Sequence, residues 1–175
     1  MNLPNKLTIL RILIVPFFVA ALLIEKLPYH EWIAIGLFVL ASITDSLDGH
    51  IARKYNLVTD FGKFADPIAD KILVVSACVC LVELGEVPAW SVLIIIFREF
   101  VVSGLRMSAA AKNVVIPADK LGKLKTVTQM IALILLMIPD AIMLWFVPEI
   151  IYYISVALTL VSGISYVLKG KNIIL

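Results

Sequence analysis

Apolar residues fall into six long stretches along the chain, separated by short polar segments. Each stretch has about twenty residues, the length that an α-helix needs to cross the hydrocarbon core of a bilayer. The predicted spans are Leu7–Ile24, Trp32–Arg53, Phe61–Leu84, Pro88–Ala110, Leu121–Ile138 and Pro148–Leu168. Because the connections are short, we expect neighbouring helices to pack antiparallel. The pattern predicts an all-α fold: a polytopic membrane protein with a six-transmembrane-helix bundle, forming one domain over residues 1–175.

Composition supports a membrane protein. Of the 175 residues, 62% are hydrophobic and 16% are charged, whereas soluble domains are about half apolar and a quarter charged. No small-residue cleavage pattern follows the first apolar stretch, so we expect it to be retained as a span rather than removed as a signal peptide. The net charge of +2 does not indicate a nucleic-acid partner, and none is expected.

Basic residues gather at alternate ends of the predicted spans. They lie before span one, between spans two and three, between spans four and five, and after span six, whereas the opposite loops hold Lys26 alone. Cytoplasmic loops of membrane proteins are enriched in lysine and arginine. The distribution therefore predicts that both termini lie in the cytoplasm and that the protein is a multi-pass protein of the cytoplasmic membrane.

Four aspartates stand at the cytoplasmic ends of predicted spans two and three. Asp45 and Asp48 are three residues apart, and Asp66 and Asp70 are four apart, so each pair lies on one helix face. Carboxylates gathered near hydrocarbon need compensating charge. Hard divalent cations, Mg²⁺ or Mn²⁺, supply it through carboxylate oxygens. Two such cations suit an in-line displacement at phosphorus, and we expect the site to face the cytoplasm.

The residues between the aspartates fit a ligand site. Gly49 and Ala52 share a face with Asp45 and leave room for a ligand to approach the backbone. Gly62 lies one turn before Asp66, and Arg53 is placed to pair with a diphosphate. In an alternative interpretation the aspartates form only structural ion pairs, with partners drawn from Arg53, Lys63, Lys71 and Arg98.

This segment resembles the signature of the CDP-alcohol phosphotransferase family, D-x-x-D-G-x-x-A-R, then eight residues, then G-x-x-x-D-x-x-x-D. The fixed positions are occupied by Asp45, Asp48, Gly49, Ala52, Arg53, Gly62, Asp66 and Asp70. The resemblance implies a six-helix membrane enzyme, usually a homodimer, that takes a CDP-linked donor from the cytoplasmic side. Such an enzyme transfers the substituted phosphoryl group of the donor to an alcohol and releases CMP.

The resemblance also implies roles for individual residues. Asp45, Asp48 and Asp66 would ligate two divalent cations, while Asp70 would complete the metal site and act as general base on the acceptor hydroxyl. Asp66 and Asp70 are therefore the predicted catalytic residues. The CDP pocket would be lined by Gly49, Ala52, Arg53 and Gly62.

Three polar residues of span one recur every third position and share a face: Asn5, Thr8 and Arg11. For these residues two interpretations stay open, contact with the CDP nucleotide or a capping and interfacial role. Asn5 and Thr8 are the predicted CDP-binding residues among them.

Further motifs resemble the bacterial branch of the family that takes sn-glycerol 3-phosphate as acceptor. They are the opening segment Pro4–Arg11 and the segments Arg98–Arg106, Val115–Ala118 and Lys120–Gln129. The implied reaction transfers the phosphatidyl group of CDP-diacylglycerol to sn-glycerol 3-phosphate, giving phosphatidylglycerol phosphate and CMP.

A basic cluster at the cytoplasmic ends of spans four and five agrees with an anionic acceptor. Arg106, Lys123 and Lys125 are expected to bind the acceptor phosphate, and Thr126 and Gln129 to add hydrogen bonds. Alternatively, these cations set the topology or contact anionic lipid headgroups. Arg98 and Glu99 lie inside span four, where a structural ion pair and a place in the site are both open.

Two rival functions remain. Within the family, the acceptor could be another alcohol, such as inositol phosphate, serine or phosphatidylglycerol. From a different class, the aspartates could form the transport site of a metal-cation transporter. Transport calls for access from both sides of the membrane, whereas the acids and cations here gather at one face, which favours an enzyme.

Overall fold

A computed structural model describes the backbone of residues 2–55, 60–111, 120–139 and 146–174. Within these ranges it describes the side chains except at residues 3, 46–54, 60–67, 70, 110–111, 120 and 169–174. The described backbone contains six α-helices and no strand: α1 (Leu3–Leu23), α2 (His30–Lys54), α3 (Asp60–Glu83), α4 (Ala89–Ala111), α5 (Lys120–Leu136) and α6 (Val147–Ile174). The predicted all-α fold is confirmed.

Local sequence explains where the helices begin and end. The side chain of Asn2 accepts a hydrogen bond from the backbone N–H of Asn5 at 3.2 Å, and this cap starts α1 four residues before the predicted span. The end of α3 is followed by Gly85 with φ +80°, a left-handed conformation that suits glycine because it has no Cβ. Helix α6 continues past the predicted Leu168 to Ile174.

The chain divides into two compact units. The first comprises Met1–Gly85 with Met137–Pro139 and contains α1, α2 and α3; the second comprises Glu86–Leu136 with Asp140–Leu175 and contains α4, α5 and α6. In the first unit α1 packs against both α2 and α3, and in the second α6 packs against both α4 and α5. The prediction of a single domain over residues 1–175 stays a prediction.

Small and aromatic side chains fill the core of the first unit. The rings of Phe18 on α1 and Phe38 on α2 lie 5.7 Å apart, centroid to centroid, and both side chains are fully buried. Ala34 and Ala41 on α2 and Ala77 on α3 are also fully buried. Alanines at these positions allow the helix backbones to approach closely, as they do in membrane bundles.

The core of the second unit has a polar stripe along α6. Ser155, Thr159 and Ser162 are buried, and each donates its hydroxyl hydrogen to a backbone carbonyl three or four residues earlier. The hydroxyl groups of Ser91 on α4 and Tyr152 on α6 lie 2.7 Å apart and form a buried hydrogen bond. Hydroxyl groups that bond within or between helices satisfy their polarity inside an otherwise apolar bundle.

The outward faces of the helices are apolar. Pro4–Leu23 and Val147–Leu168 are long and apolar enough to cross a membrane, and within an apolar 18-residue stretch of each only 39% and 33% of the residues are buried. Large side chains on their outer surface include Phe17, which is 69% exposed, and Leu168, which is 65% exposed. The core helix of a soluble protein is mostly buried, so apolar helices with such exposed faces indicate a membrane protein.

Candidate active site

The helical backbone places the predicted metal ligands in two pairs. Asp45 and Asp48 both lie in α2, and Asp66 and Asp70 both lie in α3, so each pair has helical spacing. Helices α2 and α3 contact each other within the first unit. The side chains of Asp48, Asp66 and Asp70 lie outside the described residues, as do those of the predicted CDP-pocket residues Gly49, Ala52, Arg53 and Gly62. Their roles stay predictions.

The carboxylate of Asp45 is held by a buried arginine from α1. Nη1 of Arg11 lies 2.7 Å from Oδ1 of Asp45; the arginine side chain is 0% exposed, while that of Asp45 is 41% exposed. A buried guanidinium needs a carboxylate partner because its desolvation is costly. Arg11 therefore fixes the direction of a predicted metal ligand. The sequence showed that Arg11 shares a face with Asn5 and Thr8, but it did not identify this pair.

The polar face of α1 is turned into the first unit. Asn5 is 7% exposed and Thr8 is 0% exposed. The hydroxyl of Thr8 donates to the carbonyl oxygen of Pro4 at 3.2 Å. The helix cap is supplied by Asn2 rather than Asn5. Contact of Asn5 and Thr8 with a nucleotide stays a prediction.

The donor set suits a divalent metal. Asp45, Asp48, Asp66 and Asp70 supply carboxylate oxygens, the hard ligands that Mg²⁺ and Mn²⁺ prefer. Among the described side chains alone, no group of three or more histidine, cysteine or acidic residues forms a metal site; of the four aspartates, those side chains include only Asp45. The residue types and their helical spacing fit the metal.

In the second unit, Arg106 is held by a tyrosine of α6. Its Nε donates to the hydroxyl of Tyr166 at 2.9 Å, and its Cζ lies 5.3 Å from the centre of the Tyr166 ring. Arg106 is exposed, whereas Tyr166 is buried. Within the described part of the chain these contacts engage only Nε and the guanidinium face, so the two Nη groups can donate to an oxyanion.

Lys125 lies in a buried ion pair that the sequence did not predict. It is 3% exposed, and its Nζ donates to Oε1 of Glu99 at 2.7 Å. The same carboxylate oxygen accepts a hydrogen bond from Nη1 of Arg98 at 2.8 Å. Nη2 of Arg98 donates to the hydroxyl of Ser162 on α6 at 3.3 Å. Arg98 and Glu99 therefore form an ion pair, while a place for them in the site and direct binding of a phosphate by Lys125 stay predictions.

The other predicted acceptor residues differ in how far their side chains are exposed to solvent. Lys123 and Thr126 are exposed on α5, and the hydroxyl of Thr126 donates to the carbonyl oxygen of Gly122 at 3.0 Å. Gln129 is only 2% exposed. Arg106, Lys123 and Thr126 are thus accessible to an acceptor, whereas Lys125 and Gln129 lie inside the second unit.

Comparison with known families identifies the chain. The sequence model of the CDP-alcohol phosphatidyltransferases matches residues 1–161. The chain belongs to the CDP-alcohol phosphatidyltransferase family. The matched range contains every residue of both predicted clusters, from Asn5 to Gln129.

Curated relatives in this family align with almost the whole chain. The CDP-diacylglycerol–glycerol-3-phosphate 3-phosphatidyltransferase of Bacillus subtilis (strain 168) is 42% identical over an alignment of 183 residues, gaps included. The alignment covers 97% of this chain and 95% of that protein. The Rickettsia felis protein of the same name is 47% identical, covering 94% and 93%. A probable phosphatidylglycerophosphate synthase of Mycobacterium tuberculosis (strain H37Rv) is 40% identical, covering 97% and 81%.

Proposed function

We propose that this CDP-alcohol phosphatidyltransferase transfers the phosphatidyl group from CDP-diacylglycerol to sn-glycerol 3-phosphate. The products are phosphatidylglycerol phosphate, a precursor of phospholipids, and CMP. The observation that carries the proposal is the near full-length identity of 40–47% to relatives named for this reaction or for its product. Alignments that cover most of both chains compare whole enzymes rather than a shared fragment. Family membership also favours an enzyme over a cation transporter.

We further propose that all six helices cross the cytoplasmic membrane, with both termini and the active site on the cytoplasmic side. The apolar outer faces of the helices and the basic residues at alternate helix ends support this topology. It lets a donor with its acyl chains in the lipid meet an acceptor that arrives from water. The family resemblance adds the proposal that the enzyme is a homodimer.

Asp45, Asp48, Asp66 and Asp70 would hold the divalent cations, two ions of Mg²⁺ or Mn²⁺. When bound, the ions offset the charge that develops on the phosphate oxygens and stabilise the departing CMP. Arg11 supports this assignment because it fixes Asp45 from the buried side while leaving that carboxylate 41% exposed.

The protein residues then carry the displacement. Asp70 accepts the proton of the acceptor 1-hydroxyl, whose oxygen forms a new bond to the phosphorus that bears the diacylglycerol. The bond from that phosphorus to the CMP oxygen breaks, so CMP leaves with the electron pair. Asp66 acts beside Asp70 as the second catalytic carboxylate. Correct placement of the two substrates supplies much of the rate in such a reaction.

Binding residues are assigned to each substrate. Gly49, Ala52 and Gly62 leave room for the CDP group, Arg53 pairs with its diphosphate, and Asn5 and Thr8 contribute from α1. For the acceptor, the exposed Arg106 and Lys123 bind the phosphate and Thr126 adds a hydrogen bond. The buried Lys125 and Gln129 lie on the same helix inside the second unit and support these residues without contacting the acceptor.

The test is CMP release by the purified protein in detergent. We expect release only when CDP-diacylglycerol, glycerol 3-phosphate and a divalent cation are all present. Inositol phosphate, serine and phosphatidylglycerol serve as competing acceptors, and activity with one of them in place of glycerol 3-phosphate would change the assigned acceptor. Divalent-cation flux in proteoliposomes without CMP release would instead establish a transporter.

A further inference from the structure

The ion cluster of the second unit, formed by Arg98, Glu99 and Lys125, has no role in the displacement described above. One carboxylate oxygen of Glu99 accepts from Lys125 Nζ at 2.7 Å and from Arg98 Nη1 at 2.8 Å. The three side chains are 17%, 4% and 12% exposed for Glu99, Lys125 and Arg98. Charges that are mostly withdrawn from water, as these are, are held firmly, because separating them leaves a poorly solvated ion.

Two glycines, one on α5 and one on α6, leave space for the side chain of Arg98, which extends from α4 to these helices. A Cβ added at Gly163 on α6 would lie 2.9 Å from Cγ of Arg98, closer than real Cβ contacts allow. A Cβ added at Gly122 on α5 would lie 3.5 Å from Nη2 of the same arginine. Arg98 also donates to Ser162 on α6, and Glu99 accepts from Lys125 on α5. Arg98 and Glu99 therefore connect α4 to both α5 and α6.

The helix that this ion cluster holds, α5, also carries exposed residues assigned to the acceptor. Lys123 precedes Lys125 by two residues, about 200° around the helix axis, and Thr126 directly follows it. Because α5 is one continuous helix from Lys120 to Leu136, fixing Lys125 against Glu99 sets the direction in which Lys123 and Thr126 project.

We propose that Glu99 is a positioning residue for acceptor binding: it anchors Lys125 and so orients the phosphate-binding side of α5, and Lys125 itself does not ligate the phosphate. This inference rests on the proposed function. It predicts a change in phosphate affinity opposite to the one that simple electrostatics predicts for loss of the Glu99 charge. Removing a negative charge near a phosphate site should strengthen phosphate binding, whereas removing the anchor should weaken it.

The experiment measures KM for glycerol 3-phosphate, KM for CDP-diacylglycerol and kcat in Glu99→Gln, Lys125→Met and the double variant. We expect each single variant to raise the glycerol 3-phosphate KM about tenfold, equivalent to about 1.4 kcal/mol. The double variant should have the same acceptor KM as the larger single variant, because both changes break one coupled interaction. The KM for CDP-diacylglycerol should stay within about twofold, well under the tenfold step. Glu99→Asp should restore part of the acceptor affinity.

Three results would overturn the inference. They are an unchanged or lowered glycerol 3-phosphate KM in Glu99→Gln, single effects that multiply in the double variant, or equal changes in both KM values. If Glu99→Gln does not fold, the double variant, which keeps the net charge of the cluster, is compared with Lys125→Met alone. Equal acceptor KM values support positioning, and a lower KM in the double variant contradicts it. Wild-type protein that releases no CMP with glycerol 3-phosphate contradicts the proposed function instead.

Discussion

Each of the two units holds a functional side chain through an ion pair, and the signs of the holding and the held charge are reversed between the units. In the first unit a fully buried cation, Arg11, holds an acid, Asp45, whose carboxylate is 41% exposed. In the second unit a part-buried acid, Glu99, holds the buried Lys125 on the helix that also carries the exposed Lys123. In the first unit a cation thus contacts one of the predicted metal ligands. In the second unit an acid contacts a lysine of the predicted phosphate-binding cluster.

In both units the ion pair fixes the direction of a side chain inside an apolar bundle. A buried ion pair contributes little net stability, since its attraction only offsets the cost of removing both charges from water. It does, however, fix geometry strongly, because any other arrangement leaves a charge without its partner. We therefore interpret Arg11 and Glu99 as residues that orient the functional charges, and the following substitutions test the two units against each other.

The largest effect is expected at the aspartates of α3. Asp70→Asn and Asp66→Asn should each lower CMP release by about 10²–10⁴-fold, the range for loss of a general base. Turnover is measured in detergent with Mg²⁺ and with Mn²⁺. Glu83→Gln, at the exposed far end of the same helix, is the matched control and should keep wild-type activity. Near wild-type turnover of either aspartate variant would refute the mechanism.

Next comes the buried cation of the first unit. Arg11→Met removes the charged hydrogen bond to Asp45 and should lower the free energy of unfolding by about 2–3 kcal/mol. The loss is smaller than for a fully buried pair, because the Asp45 side chain that remains is 41% exposed and is solvated by water. Thermal unfolding in detergent measures the loss. Lys6→Met on the same helix removes an exposed cation and should leave the melting temperature nearly unchanged. Equal stability of the two variants would show that the Arg11–Asp45 pair does not anchor the unit.

A smaller effect is expected at the exposed cation of the second unit. Arg106→Ala removes a two-pronged phosphate donor and should raise the glycerol 3-phosphate KM by about one to two orders of magnitude, as loss of a charged hydrogen bond of about 1.5–3 kcal/mol implies. Tyr166→Phe removes only the hydroxyl that accepts from Arg106 Nε, so its effect should be smaller and of the same sign. An unchanged acceptor KM in Arg106→Ala would exclude Arg106 from the acceptor site.

The smallest effect concerns the glycine under Arg98. Gly163→Ala places a methyl group 2.9 Å from Arg98 Cγ and should destabilise the protein by about 1 kcal/mol through overpacking. Gly104→Ala on α4 and Gly36→Ala on α2 meet nothing within 4 Å. They should be neutral or slightly stabilising, because alanine favours helix over glycine. Chemical denaturation of the three variants compares them, and a stabilised Gly163→Ala variant would contradict the close crossing.

Much of the fold was accessible from the sequence because its strongest signals are local. Six apolar stretches bounded by prolines, a glycine and polar residues predicted the six helices, and the structure confirms them to within a few residues at most ends. The start of α1 and the end of α6 differ most, since a single cap at Asn2 moves one boundary and α6 continues beyond its apolar stretch.

The candidate site could be predicted from the sequence for a different reason. Asp45, Asp48, Asp66 and Asp70 carry a spacing that identifies the family without any tertiary information, and the family match over residues 1–161 confirms that identification. The division of roles among the four carboxylates stays a prediction, because spacing alone does not determine which oxygen faces a metal and which takes a proton.

By itself, the sequence determined the helices, the family and the residue types of both clusters, since each depends on the order of residues along the chain. Only the tertiary structure decided which opposite charges meet. Arg11 and Asp45 are far apart in sequence, as are Glu99 and Lys125, and their pairing depends on how separate helices rotate and pack. The sequence showed the aspartates and the basic residues as two groups of charges, and the packing showed that Arg11 holds Asp45 and that Glu99 holds Lys125.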